Sequence, residues 1–364
     1  MSQDDTPATE APCKRVLIMS SERSGSNLLR SILGSHSQLA SPIAIHYTSH
    51  LAPYAMFYGD LTDPARQRVL AEDLLELAYL HIYPWEVELT VDDVLAHLTR
   101  PGFWGVVDAT YRAYAAAEGK TGWVCKDNHL FDHAVNVMAQ VEDVHILYLV
   151  RDGRDVACSY FKVAGGPKTI GSAARMWKRD QRTATDVHNN FAPRGRSMLV
   201  RYEDLVNDPV AMTQAVCDFL GLPYEEAMLA FHTSALNNSM AESSAYWKNL
   251  SKPISNKSVG RYRTTLSAQE IARYERIAGP ELALLGYDVA TSDFQLRPSL
   301  SDRVVETIDE VISRGLQRWS LSRKGVHKQW LPKDQAAVQL QRRLISRARD
   351  VDLTHQPRRP TPGE

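Results

Sequence analysis

Arg15-Val-Leu-Ile-Met19 runs directly into Ser20-Ser-Glu-Arg-Ser-Gly-Ser-Asn27, after which Leu28, Leu29, Ile32 and Leu33 recur at helical spacing. A short apolar run bounded by turn residues reads as a buried strand, and the spaced leucines read as an amphipathic helix. The order is strand, Gly/Ser loop, helix. Such a loop aims backbone N–H groups and the positive end of the helix dipole at an anion. Arg23 adds a fixed charge, and Ser24, Ser26 and Asn27 place side-chain donors around Gly25. A Walker-type loop requires G-x-x-x-x-G-K-[ST]. Here Ser20 replaces the first Gly, and Ser26 stands where the Lys should follow Gly25. A Mg-ATP site is disfavoured.

Similar units follow. Gly122-Trp-Val-Cys-Lys126 is a short strand ending in a polar turn. His145-Ile-Leu-Tyr-Leu-Val150 is a buried strand that ends at Arg151-Asp-Gly-Arg-Asp155, with a helix from Val156. Ser197-Met-Leu-Val-Arg-Tyr202 is another strand, followed by a helix over Val210–Leu220. Short apolar strands alternating with helices predict an α/β fold, a P-loop-like central parallel sheet flanked by helices. Ligands then bind beyond the carboxyl ends of the strands. Arg151 and Ser159, eight residues apart, fall at one such end, and an Arg with a hydroxyl suits a phosphate. Surface ion pairing among Arg151, Asp152, Arg154 and Asp155 is the plainer alternative.

The 364 residues carry 42 Lys and Arg against 43 Asp and Glu, and 44% are hydrophobic. That composition supports a large core and argues against global nucleic-acid binding. The four cysteines form no C-x-x-C pair, which points away from zinc or redox motifs and toward a reducing, cytoplasmic setting. Residues 1–13 read as a polar, disordered tail without a signal-peptide core. The main domain is expected over residues 14–290. Residues 60–100 read as a helical, acidic insertion or lid. Residues 291–364 read as a basic, mainly helical C-terminal extension; residues 297–364 hold 14 Lys and Arg against 8 Asp and Glu. There Leu300, Val304, Ile308, Val311, Ile312, Leu316 and Trp319 form an amphipathic stripe. This stripe is expected to bury itself on the domain or on another subunit, with peripheral membrane contact as the alternative.

Taken together the motifs resemble sulfotransferases that use 3′-phosphoadenosine 5′-phosphosulfate (PAPS). Arg23-Ser-Gly-Ser-Asn-Leu-Leu29 resembles the family's 5′-phosphosulfate loop, in the Arg-containing form of the bacterial and tyrosyl-protein branches. Arg151 to Ser159 resembles its 3′-phosphate motif. Arg201-Tyr-Glu-Asp-Leu205 is similar to the segment whose tyrosine, here Tyr202, contacts adenine. Phe231-His-Thr-Ser234 resembles a later adenine-side segment, which implies a cofactor role for Thr233. Lys257-Ser-Val-Gly-Arg-Tyr-Arg263 resembles the loop that closes over the 3′-phosphate, although Ser255-Asn-Lys257 replaces the usual Arg-Lys-Gly. The resemblance covers about residues 14–290. It implies PAPS as cofactor and 3′-phosphoadenosine 5′-phosphate as product.

Sulfuryl transfer of this kind is in-line displacement, where positioning and electrostatics dominate. No metal is needed if Arg23 and Lys126 neutralise the phosphosulfate; Lys126 stands where the family carries a catalytic Lys. The acceptor needs a base. No Asp or Glu occurs between Arg23 and Asp60, so His46 is the first candidate, since imidazole titrates near neutrality. His129 competes, because another branch places a His just after this Lys; His50 and Asp108 rank below. The acceptor is expected to be a hydroxyl, with an amine as second choice, on a small molecule, lipid or glycan. Homo-oligomerisation through the C-terminal helices is a further expectation. Two other readings stay open: a nucleotide kinase with a degenerate P-loop, and a catalytically inactive nucleotide-binding homologue.

Overall fold

The computed structural model describes residues 13–80, 83–243, 247–294, 299–323 and 338–346. Among them one sheet contains β1 (Arg15–Met19), β2 (Leu39–Ala40), β3 (Gly122–Cys125), β4 (Val144–Val150) and β5 (Ser197–Arg201). The spatial order is β2-β3-β1-β4-β5, and every pairing is parallel. The two-residue β2 carries no sequence signal of its own.

The pleat sorts the strand residues between two cores. Val16, Ile18, Leu147 and Leu149 face one side, where they meet α1 (Ser26–Gly34) through Leu29, Ile32 and Leu33. Leu17, Met19, Ile146, Tyr148 and Val150 face the other. There they meet α2 (Pro64–Tyr79), α3 (Phe103–Ala117), α4 (Leu130–Gln140), α5 (Gly153–Tyr160) and α6 (Ile170–Phe191). Both faces are covered, so the strands read as continuous apolar runs rather than alternating ones. Each fully buried large side chain contributes roughly 1.5–3 kcal/mol by leaving water. On the first side, α7 (Pro209–Leu220) adds Val216, Cys217 and Leu220. Met240 of α8 (Ala235–Ser243) packs with Ile43 and Leu250. On the second, α9 (Ala268–Leu284) adds Tyr274, Ile277 and Leu282.

Two segments are helical as expected, but each loses one of its expected placements. The 60–100 stretch is no lid: Leu70, Ala71, Leu74 and Ala78 of α2 are fully buried in the larger core. Its exposed acids gave the segment a polar average that hid the apolar face. The C-terminal helix α10 (Leu300–Arg323) forms, but its apolar stripe is not the buried face. Leu300 is 81% exposed and Val311 65%, whereas Asp309 and Ser313 are buried. The helix docks through hydrogen bonds to the start of α6, an arrangement invisible to a reading of apolar periodicity. Residues 338–346 are helical, and Leu340 and Leu344 join the larger core. Residues 1–12, 295–298, 324–337 and 347–364 of the expected tail and extension lie outside the described residues.

Candidate active site

Four loops with charged or hydroxyl groups leave the carboxyl ends of adjacent strands. Residues 20–25 follow β1, Lys126 and Asp127 follow β3, Arg151 follows β4 and Tyr202 follows β5. Strand order thus gathers residues up to about 180 positions apart at one sheet edge, where α/β folds bind ligands. Gly25 precedes α1 with φ +95°, and a Cβ there would sit 2.5 Å from the Tyr202 ring. Only glycine permits both the left-handed turn and the close approach. Asp63, Thr169 and Ser267 cap α2, α6 and α9 with their side chains, whereas α1 has no side-chain cap. Its first N–H groups stay available to an anion.

The donor side is a cluster of cations. Arg23, itself at φ 68°, donates from Nε to Ser159 Oγ at 3.1 Å. Arg151 donates to the Arg23 carbonyl at 3.2 Å and to the Ser258 carbonyl at 2.8 Å. Its guanidinium stands 4.4 Å from the centre of the Tyr202 ring. Asp155 accepts from the N–H groups of Gly260 and Tyr262, both at 2.8 Å, and so clamps the 257–262 loop to α5. Arg154 is structural: Asp152 and Glu275 hold it in buried ion pairs at 2.7 and 2.6 Å. A cavity of about 970 Å³ lies over this cluster, and among the described residues Asp155 is its single lining carboxylate against seven Arg and Lys residues. Ser24 Oγ and Arg151 Nε are buried with no hydrogen-bond partner among the described residues. Orphaned donors beside a cation-lined cavity fit a ligand carrying several anionic oxygens.

The transfer side is built on the end of β3. Lys126 is buried, and its Nζ donates to Asn128 Oδ1 at 2.7 Å. Burial pushes its pKa down; Arg30 and Arg23 act the same way, against Glu22 and Asp127. Asp127 is buried as well, and its Oδ1 lies 3.1 Å from His46 Nδ1. It also accepts from Thr48 N at 3.3 Å and Asn128 N at 2.7 Å. Burial alone would raise the Asp127 pKa, but the His46 contact, Lys126 and the Thr48 N–H outweigh it and hold the carboxyl below its ordinary value. His46 has φ 61°, strain of the kind that costs about 1–3 kcal/mol and collects at functional sites. With Asp127 accepting at Nδ1, the neutral ring carries its lone pair on Nε2.

The structure separates the sequence candidates. Arg23, Gly25, Ser26, Asn27, Arg151, Ser159, Tyr202 and Lys257 all line the cavity. Ser24 lies buried beneath it. Thr233 does not line it: its hydroxyl donates to the Ala230 carbonyl, and Phe231 of the same segment faces the cavity instead. His129 has a half-exposed ring 3.8 Å from the half-exposed Asp132. His50 stands edge-on to His46, 6.5 Å between ring centres. Asp108 lies away from this sheet edge. It accepts from Arg15 and Trp123 at the opposite end of β1 and β3. Asp127 was missed by the sequence reading, although an acid directly after a strand end was a usable signal. Lys162, Lys248 and Lys252 of the cavity wall were missed too.

A family model described as the sulfotransferase family matches residues 15–226, more than half of the chain. The chain belongs to the sulfotransferase family. Carbohydrate sulfotransferase 1 of Rattus norvegicus is 26% identical over 196 residues, covering 46% of this chain and 45% of that protein. Carbohydrate sulfotransferase 2 of Homo sapiens is 31% identical over 103 residues, covering 28% and 19%. The chain thus spans less than half the length of these curated relatives. Among solved structures, the sulfotransferase domain from the curacin biosynthetic pathway superposes with TM-score 0.52 at 19% identity, over 77% of this chain and all of that one. The sulfotransferase domain of the Synechococcus PCC 7002 olefin synthase gives 0.51 at 22%, over 79% and all of that chain. These two likenesses concern the fold.

Proposed function

We propose that the protein transfers a sulfuryl group from PAPS to a hydroxyl of a small-molecule, lipid or glycan acceptor. One observation carries the reading. The end of β3 delivers a buried cation, Lys126, and a buried carboxylate, Asp127, which anchors His46. Both stand at the sheet edge that holds Arg23, Arg151 and Ser159. Carbohydrate sulfotransferases among the relatives favour a glycan hydroxyl.

The cluster fits the donor on its own chemistry: orphaned Arg151 Nε and Ser24 Oγ, an uncapped α1 and a cation-lined cavity suit a nucleotide with phosphates at two ends. When bound, the donor supplies a sulfuryl group and leaves negative charge on its departing phosphate oxygen. Arg151 and Ser159 would hold the 3′-phosphate, and Tyr202 and Phe231 would flank the base. Arg23 and Lys126 neutralise charge that builds up during transfer, which is where binding energy accelerates a reaction. His46 Nε2 takes the proton of the acceptor hydroxyl as the new S–O bond forms. Asp127 keeps the imidazole in that tautomer and stabilises the imidazolium.

The test is transfer of radiolabelled sulfate from PAPS to a panel of sugars, glycans, lipid alcohols and small alcohols. Label on a hydroxyl acceptor with the wild type, lost in Lys126→Ala, is the expected result. Transfer of the ATP γ-phosphate instead would assign a kinase. Tight nucleotide binding without turnover on any acceptor would assign an inactive homologue.

A further inference from the structure

The C-terminal helix α10 is 24 residues long, about 36 Å at 1.5 Å per residue. It is held by its polar side. Asp309 accepts from Thr169 Oγ1 at 3.0 Å, Arg175 at 2.7 Å and Arg273 at 3.1 Å. Ser313 accepts from the Lys168 N–H at 2.8 Å and meets Ser172 Oγ at 3.0 Å. Asp309 therefore sits at the N-terminus of α6, where a helix dipole favours an anion. Successive residues turn about 100° around a helix, so Leu300, Val304, Ile308 and Val311 lie on the side away from Asp309 and Ser313. All four are more than half exposed. Single exposed apolar side chains are ordinary, but a continuous strip of this length marks an interaction surface.

Charge identifies what fits the strip. The acids of α10 turn toward the domain: Asp302 lies near Arg276, Asp309 binds Arg175 and Arg273, and Glu306 acts on Lys178. Glu310 is the exception: 43% exposed, it pairs with Arg314 of its own helix at 3.0 Å and lies 4.0 Å from Arg175. Its cations do the opposite. Arg303, Arg314 and Arg318 are exposed and border one edge of the strip. A second copy packed antiparallel would set this arginine edge against its own image. A parallel copy would set it against the edge of Val305 and Leu316, which carries no carboxylate. Neither arrangement supplies the countercharge. An anionic phospholipid surface does: the apolar strip enters at the acyl boundary while the arginines meet lipid phosphates. Among the described residues no helix is long and apolar enough to cross a membrane, so the contact is one that lies on the surface.

We propose that α10 is an interfacial helix that docks the protein on an anionic phospholipid bilayer. The full chain is floated with vesicles of phosphatidylcholine alone and of phosphatidylcholine mixed with phosphatidylserine. At least about tenfold more protein should float with the anionic vesicles at low salt, and the preference should fall as salt rises. Ile308→Glu with Val311→Glu should abolish binding to both. The triple change Arg303→Ala, Arg314→Ala, Arg318→Ala should remove the preference for phosphatidylserine. These side chains are exposed, so the melting temperature of each variant should match the wild type. Absence of binding, or equal binding to both vesicles, would overturn the proposal. So would a dimer in light scattering that Ile308→Glu converts to a monomer, because the strip would then belong to a second copy.

Discussion

His46 Nδ1 lies 3.1 Å from a carboxylate oxygen of Asp127, and the Asp127 side chain has no exposed surface. The two residues are 81 positions apart and come from different loops, so the pair exists only in the fold. A buried carboxylate behind an imidazole fixes the tautomer and stabilises the protonated ring. His46→Ala should lower sulfuryl-transfer turnover about 10²–10⁴-fold while nucleotide affinity stays near wild type. Asp127→Asn should lower turnover without removing the ring. The wild-type rate should fall as pH drops through the imidazole range. Full activity of His46→Ala together with loss in His129→Ala would move the role to His129.

Arg151 bridges the first loop and the 257–260 loop and leaves Nε unpartnered. Charge-assisted hydrogen bonds contribute about 1.5–3 kcal/mol each. Arg151→Ala should weaken 3′-phosphoadenosine 5′-phosphate binding at least about tenfold, measured by calorimetry. Adenosine 5′-phosphate, which lacks the second phosphate, should bind the wild type much more weakly. Equal affinity for the two nucleotides would remove the assigned role of Arg151 and Ser159.

Gly25 combines φ +95° with a Tyr202 ring that leaves no room for a Cβ. Gly25→Ala should push Tyr202 off its stack on Arg151 and destabilise the loop by at least about 1 kcal/mol. Thermal melts should drop, and nucleotide should no longer protect the protein. A Gly25→Ala protein with wild-type nucleotide affinity would show that the loop tolerates another path.

The depressed Asp127 pKa sets a pH window. A carboxylate whose folded pKa lies below its unfolded value near 3.9 adds stability above that value. The contribution is lost as pH falls through the folded pKa. Asp127→Asn should therefore lower the melting temperature at neutral pH, with the gap to wild type closing only as pH falls through the depressed folded pKa. A gap that is independent of pH would mean that shape rather than charge holds the site.

Asp309 ties three groups of the domain to α10, and only it is deeply buried. Arg175 and Arg273 are partly exposed, so solvent screening reduces the loss below that of a fully buried pair. Asp309→Ala should cost about 1–2 kcal/mol. Hydrogen exchange should speed up across residues 300–323 and stay unchanged in the sheet. Uniform loss of protection would place Asp309 in the global folding unit instead.

Much was fixed by local chemistry. The run Val16–Met19 cannot stay in water, Gly25 follows it where the chain must turn left-handed, and Leu29, Ile32 and Leu33 repeat at helical spacing, so strand, loop and helix were legible in order. Arg151 and Ser159 were legible too, because eight residues separate a strand end from the second turn of a helix. The tertiary structure alone decided which distant groups meet. Strand order put Lys126 and Asp127 next to the first loop, and burial made Asp127 a partner for His46. It sent Asp108, the lower-ranked acidic candidate, to the far end of the sheet with Arg15. It also decided which side of α10 is docked. Periodicity reports that a helix has an apolar face, but a satisfied network around Asp309 and Ser313 can hold the polar face inward, and that balance depends on partners distant in the chain, most of them more than a hundred residues away.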